Sequence, residues 1–574
     1  MRVIGGKRAT GWTGGAVWPC LIVTGSCLLG GCGGDGGSPS TAGVAAESSS
    51  STVHLTATEV QTIIAQAATQ ATNSGLPVTI AVVDHEGTVL GVLQMAGANP
   101  NTTISGGGTG GLEGASGGLV TAANAAISKA GTAAFFSTQG NAFTTRSAAF
   151  IVQEHFPPQV NPSPSGPLFG VQFSQLRCSD VSRSGHSAST SNLPLGLSGD
   201  SGGLPLYKNG TAVGGIGVEG DGVYTADRDP TDNDQSTEEI IAAAGTLGFS
   251  APGGIRGNNI LVDGMRIPFV NAEPPSSQAT TAYAVFAAAG TEIVAPILSP
   301  ATGFTPASFG GIAGSVDTGS AVVAGTTPVG LALTVPEVTT IIAQAARQAD
   351  ATRAAIRLPL GSKARVSITV VDSSGNILGM FRTTDAPIFG WDVSAQKART
   401  ATFFDSATAG AALTAAGFGS YVTAAAADGL LLDGSIAFSE TAIGFLSQPI
   451  FPPGASQPFS NGPFSKPLGQ WSIFNTGLQL DIAIGQLGMT GSCSPGGLPG
   501  LANGMQIFSG GFPLYRNGVL VGGIGISGDG IDQDNIIGFM GSVGFEAPPG
   551  IRSDTVTVRG ARLPYSVFPR HPNL

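Results

Sequence analysis

The chain has 574 residues, too many for one hydrophobic core, and roughly 150 residues per domain suggests two to four domains. Only 11% of residues are charged against 42% hydrophobic, and 88 glycines and 37 prolines imply folded domains interrupted by long loops. The net charge of −11, with no Lys/Arg cluster beyond the N-terminal region, excludes nucleic acid as a partner, because phosphate binding needs a basic footprint.

Arg2, Lys7 and Arg8 form a positive start, followed by the apolar stretch "AVWPCLIVTGSCLLGGC" (16–32). This reads as an export signal over 1–31 and is too short and Gly-rich for a membrane-spanning helix. Leu29-Gly30-Gly31-Cys32 resembles a bacterial lipobox, which implies acylation of Cys32 and a flexible tether over 32–54. The expected protein is exported, a periplasmic or outer-surface lipoprotein that meets the membrane through its lipid alone. Cys20 and Cys27 leave with the signal. Cys178 and Cys493 remain in loops of different halves, with no metal-ligand spacing and with their pairing left open.

The remainder is one domain written twice. "LTATEVQTIIAQAATQA" (55–71) returns as "LTVPEVTTIIAQAARQA" (333–349), and "VTIAVVDHEGTVLGVLQ" (78–94) as "VSITVVDSSGNILGMFR" (366–382). "KAGTAAFF" (129–136) returns as "KARTATFF" (397–404), and "GGLPLYKNGTAVGGIGVEGDG" (202–222) as "GGFPLYRNGVLVGGIGISGDG" (510–530). The domains are placed at 55–270 and 333–567, joined by an Ala/Gly/Pro-rich connector over 271–332. Patches such as "AYAVFAAAG" and "EIVAPIL" suggest that the connector lies against the domains.

In chain order each copy predicts the same elements. Thr56 or Thr334 caps a helix, with Glu59 or Glu337 completing a capping box. A hairpin follows through "TIAVVD", then a helix near "KAGTAAFF". A second hairpin turns at Asn209-Gly210 or Asn517-Gly518, the pair that favours a type I′ turn. A last helix covers "STEEIIAAAGTLG" or "QDNIIGFMGSVG". The order α-β-β-α-β-β-α gives an α+β class, an antiparallel sheet packed with helices.

The words "LT…EV…IIAQAA", "VVD…G…LG", "KA.TA.FF" and "GG.PLY.NG..VGGIG.[ES]G", in fixed order twice, resemble the GlcG/HbpS-like haem-binding family. They cover about half of each copy. The resemblance implies two tandem profilin-like (GlcG-like) domains and a haem or related tetrapyrrole ligand, for sensing, storage or protection. It also implies self-association through the repeated domains, of which the fusion would be a covalent version. Both copies depart from the family by long inserts at 98–120, 157–200, 405–432 and 452–508.

The candidate pocket residues are then Lys129 and Lys397 for the propionates, Thr132 and Thr400 as oxygen donors, and Phe135, Phe136, Phe403 and Phe404 against the ring. A helix with its aromatics in the core explains the same residues. No histidine is shared between the copies; His155, in "FIVQEHFPPQ", is the candidate iron ligand, and Ile450 stands at its counterpart. Arg256 and Arg552 are further cations, whereas Lys208 and Arg516 beside the hairpin turn read as solvated.

"GDSGG" (199–203) spells the surroundings of a serine-protease nucleophile. In the second copy Phe508 replaces Asp200 and no general-base histidine has a matching context, so Ser201 reads as a turn before a strand. "DRDPTDNDQSTEE" (227–239) has calcium-loop spacing, but Asp232 stands where glycine is needed, and acids before a helix need no metal. Two other readings remain open: an envelope scaffold with degenerate domains and no ligand, and an enzyme acting on a small metabolite. The second would rest on Asp84 and Asp372, which read as turn formers, and no constellation compels catalysis.

Overall fold

In a computed structural model of the chain, the described residues are 53–567, apart from 106–117, 154, 159, 161–164, 173–179, 181–192, 228, 274, 276, 454–459, 468–476 and 484–497. The signal, most of the tether, Cys32, Cys178, Cys493, His186 and His571 lie outside them.

The capping box opens each copy as expected. Glu59 accepts the Thr56 amide at 2.8 Å and Thr56 Oγ1 accepts the Glu59 amide at 3.2 Å, starting α1 (Ala57–Ser74). Its apolar stripe Val60, Ile63, Ile64 and Ala67 is fully buried. The hairpin β1 (Thr79–Asp84) and β2 (Val89–Gln94) follows. Helix α2 (Ala122–Phe136) starts seven positions before the "KAGTAAFF" word, because Thr121 Oγ1 caps the Asn124 amide at 3.2 Å. Then come α3 (Thr145–Ile151), the hairpin β3 (Gly203–Lys208) and β4 (Thr211–Glu219), and α4 (Thr237–Gly245). Asn209 and Gly210 both have positive φ, 53° and 79°, as the type I′ turn demands.

The connector is itself folded. It supplies β5 (Thr291–Val294) and a hairpin, β6 (Phe304–Phe309) and β7 (Ile312–Asp317). The second copy repeats the first as α5 (Val335–Ala351), β8 (Val366–Asp372), β9 (Ile377–Thr383), α6 (Phe389–Phe404), α7 (Glu440–Leu446), β10 (Gly511–Arg516), β11 (Val519–Gly528) and α8 (Ile531–Gly541). The sheets run β5-β2-β1-β4-β3 and β6-β7-β9-β8-β11-β10, antiparallel throughout. The connector thus adds one edge strand to the first sheet and two to the second, beyond the four strands per copy that the repeats predict.

The "VGGIG" word has a packing reason. A Cβ on Gly215 or Gly217 of β4 would strike the carbonyls of Ala130 or Ala126 of α2, and one on Gly525 of β11 would strike Ser394 O of α6. Helix backbone rests directly on strand backbone, which only glycine permits.

The two copies share a core. Phe136, Phe150 and Leu168 pack in one buried cluster with Phe304, Ile388, Phe389 and Trp391. The Phe136 and Phe389 ring centroids are 4.6 Å apart. Backbone and insert contacts cross between copies: Gln479 Nε2 donates to Gly170 O at 3.0 Å, and Leu358 N to Gly140 O at 2.8 Å. At roughly 1.5–3 kcal/mol per fully buried large apolar side chain, this seam is as much an interior as either domain centre.

Candidate functional site

Lys129 projects from α2 and is fully buried. Its Nζ lies 3.0 Å from Asp200 Oδ2, 2.9 Å from Glu219 Oε2 and 2.6 Å from Glu238 Oε2. Burial alone would lower the ammonium pKa, but the three carboxylates outweigh it and hold it well above its ordinary value. Burial pushes Asp200 well up and Glu238 to about 7, against the pull of Lys129. One cation among three acids leaves an excess of negative charge, which the raised carboxyls relieve by keeping protons. The ammonium stands among the oxygens that a metal ion would require.

The second copy keeps the lysine and strips its shell. At equivalent positions Phe508 replaces Asp200, Ser527 replaces Glu219 and Asp534 replaces Glu238. Lys397 Nζ donates to Ser509 O at 2.5 Å and to Asp534 Oδ2 at 3.0 Å, and lies 4.7 Å from the Phe508 ring centroid. A second acid, Glu440, is fully buried nearby with its carboxyl pushed well up by burial. Burial also raises Asp534, to about 6, against Lys397.

The threonines are used internally in both copies. Thr132 Oγ1 donates to Ser128 O and accepts the Ser198 amide, each at 2.7 Å. Thr400 Oγ1 donates to Gln396 O at 2.7 Å and accepts the Gln506 amide at 3.0 Å. Phe135 and Phe136 belong to the shared core, while Phe403 and Phe404 pack against each other at 5.4 Å in the core of the second copy. His155 is half-buried beside Phe156, which packs edge-on to Phe150 at 5.5 Å. The fold brings each lysine and threonine onto one helix face turned towards its own sheet, and it does not gather the four phenylalanines around one opening.

The other charged candidates have local partners. Arg146 Nε meets Glu239 Oε1 at 2.8 Å, and its Nη1 lies 2.7 Å from Asp234 and 3.6 Å from Asp227. The acidic loop thus answers a buried guanidinium. Arg256 pairs with Glu273 and stacks on Phe269, and Arg552 stacks on Tyr565. Lys208 and Arg516 pair with the capping-box acids Glu59 and Glu337. Asp84 and Asp372 accept amides of their own turns, at 2.8–3.0 Å. Ser201 sits in a bend just before β3, and its neighbour Asp200 faces Lys129.

What the residue pattern did not reveal is a cleft of about 630 Å³ between the copies. Ile151 and Leu168 from the first copy and Ile356, Phe389 and Phe508 from the second form its apolar walls. Its volume falls in the range of about 300–1,000 Å³ typical of small-molecule and cofactor sites. Ser527 and Asp534 of the stripped lysine shell lie in its lining, so losing two acids around a retained lysine was the readable sign of an opening. A second cavity, about 600 Å³, shares Pro167, Phe508, Ile531 and Val567 with it and carries Arg562 and Tyr565. None of Lys129, Thr132, Phe135, Phe136, His155, Lys397, Thr400, Phe403 or Phe404 is among the described residues lining either cavity.

The architecture is that of a duplicated, internally fused α+β module with a ligand-sized seam. A family model described as "Haem degrading protein HbpS-like" matches residues 55–105 and 339–444, so the chain carries an HbpS-like region in each half. No curated protein matches the chain. Among solved structures, a PduOC:heme complex is 17% identical and aligns with 37% of this chain and 94% of its own, TM-score 0.20. The Klebsiella pneumoniae protein ORFY is 20% identical over 34% of this chain and 92% of its own, TM-score 0.20. HbpS is 21% identical over 34% of this chain and 88% of its own, TM-score 0.17.

The described lining of the larger cleft fits the flat faces of a tetrapyrrole but not iron. It contains no histidine, cysteine, methionine or tyrosine to ligate the metal, and no lysine or arginine to meet a propionate. Arg562 and Tyr565, in the neighbouring cavity, are the described groups of those types within the two.

Proposed function

We propose that the chain binds haem or a related tetrapyrrole in the cleft between its two copies. The single observation that carries this reading is the cleft of about 630 Å³, with apolar walls contributed by both copies. Lys397 acts from behind the site, fixing Asp534 at its edge, and Arg562 at the adjoining cavity is the cation available to an acid side chain. The protein is exported and held to the envelope by lipid on Cys32, where the bound ring is sensed, stored or kept from doing damage. Haemin titrated into the full-length chain should give a saturable shift of its Soret band, and Leu168→Trp should abolish it by filling the cleft. Loss of the shift in His155→Ala, outside the described lining of the cleft, would place the iron in the first copy and overturn the cleft as its site. A spectrum that stays that of free haemin would end the tetrapyrrole reading. Cys32→Ala should release the chain from the membrane fraction.

A scaffold without ligand is the second reading. It is favoured by Lys129 and Lys397, whose charges are already met by the protein's own acids. No catalytic step is proposed.

A further inference from the structure

Part of the connector turns apolar side chains to solvent. Between Glu273 and Asp317 the sequence has one charged residue, Glu292, in a chain that averages 11%. Of residues 281–302 only Ser299 is buried. The helix Tyr283–Ala289 packs Tyr283 and Phe286 onto the first copy's core and leaves Ala284, Val285, Ala288 and Ala289 exposed on its opposite side. A helix apolar on every side belongs in an interior, and this one has a cover on one side only among the described residues. The chain runs on into the edge strand β5, where Tyr283 Oη donates to Glu292 Oε1 at 2.6 Å and ties down the one charge. β5 has no lysine to blunt its edge. Val285 is 57% exposed, Ile293 46%, Ile297 44% and Leu298 61%. Singly exposed aliphatic residues are ordinary, but such a run marks a surface that meets another apolar phase.

The place of this surface in the fold says which phase. Ile297 N donates to Leu90 O at 2.8 Å and Ser299 N to Leu55 O at 3.0 Å. Ile297 and Leu298 are thereby fixed beside Leu55, two residues after Val53, the first described residue on the side of Cys32. Resting on the lipid anchor proposed above, we infer that the connector surface of Val285, Ile293, Ile297 and Leu298 lies on the bilayer that holds the lipid of Cys32. A Gly/Ser-rich segment of the length of 33–52 reaches about 25 Å, so the anchor and this surface meet the same patch of membrane. Tethering makes the second contact intramolecular, at an effective concentration on the order of millimolar, and a modest apolar surface then suffices. With a net charge of −11 the chain gains nothing from anionic headgroups, so the contact is made by aliphatic side chains at the acyl boundary.

The test places the chain, purified with its lipid, in phosphatidylcholine vesicles, with Leu298→Trp as the probe and dibrominated acyl chains as the quencher. Emission of the introduced indole, taken as the difference from the parent chain, should fall at least twofold in the brominated vesicles. Val285→Trp serves as the probe if Leu298→Trp does not fold. Ile293→Glu with Ile297→Glu, added to the probe variant, should remove the quenching while the protein still floats with the vesicles. A floating protein whose probe is not quenched, or is quenched equally with and without the two glutamates, would overturn the inference and leave the lipid anchor standing. A parent chain that does not float would end the lipid-anchor reading and this inference with it. Dimers of the Cys32→Ala chain that Ile297→Glu dissolves would assign the surface to a second copy and overturn the inference too.

Discussion

Arg399 of the second copy grips Asp180 of the first copy's insert with two nearly parallel contacts, Nη1–Oδ2 at 2.8 Å and Nη2–Oδ1 at 3.3 Å. Both side chains are buried, and Asn503 joins them by donating to Asp180 at 2.8 Å. The residue equivalent to Arg399 in the first copy is Gly131, so this lock exists once. Removing one partner of a buried bidentate pair strands the other charge, at a cost of about 3–5 kcal/mol. Asp180→Leu should therefore shift the denaturant midpoint strongly, whereas Asp180→Leu with Arg399→Met should recover most of it. A double variant as unstable as the single would show that the pair does not act as a unit.

Lys129 has a larger electrostatic duty, being among the described residues the one ammonium paired with Asp200, Glu219 and Glu238. Lys129→Met should cost about 3–5 kcal/mol or abolish folding, and adding Glu219→Gln should restore part of the loss. The same cluster sets a pH dependence. The native state holds Glu238's proton up to about pH 7, whereas the unfolded chain releases it near the ordinary glutamate value of 4.5. Between those limits the native state binds more protons, so stability falls as pH rises. Melting temperatures should drop from pH 5 to pH 8, and Glu238→Gln should flatten that slope. A melting temperature that rises over this interval would contradict the buried, protonated cluster.

The two copies solve one contact by different chemistry. Arg146 and Glu239 form a charged pair at 2.8 Å, and at the equivalent positions Asn535 Nδ2 donates to Thr441 Oγ1 at 2.7 Å. The chain thus contains its own evidence that a neutral pair fits the site. Arg146→Thr with Glu239→Asn should cost less than either single change, a coupling of roughly 1–3 kcal/mol in a double-mutant cycle. Asp227 and Asp234 also face Arg146, so the double variant should remain below the parent in stability.

Gly217 and Gly525 carry the close approach of helix to strand in the two copies. Either one changed to valine would force α2 or α6 off its sheet, with a loss of about 1–3 kcal/mol or more. Because the core is continuous through Phe136 and Phe389, both halves should unfold in one transition even when only Gly217 is altered. Two separate calorimetric transitions would count against the shared core.

The sequence words placed most elements, because capping boxes, Asn-Gly turns and alternating strands act over a few residues. Thr56 with Glu59, and Asn209 with Gly210, behave as their local chemistry requires. Strand β5 was not legible: it has four residues and exists through pairing with β2, far away along the chain. The HbpS-like resemblance was legible and matches in both halves. The surroundings of Lys129 were not, since Glu238 lies 109 positions downstream and only the folded sheet brings it to 2.6 Å. The cleft stayed hidden for a like reason: Ile151 and Leu168 of the first copy meet Phe389 and Phe508 of the second only in the folded chain.

The connector's strands bind the halves in another sense. A symmetric pair of separate chains must place every residue on both sides of its contact, so a change that suits one side is imposed on the other. With β5 stitched to one sheet and β6 and β7 to the next, one chain always supplies one of each half. Asp200 could then keep company with Lys129 while its twin position became Phe508, and neither choice constrained the other. Division of labour between once-identical halves becomes available.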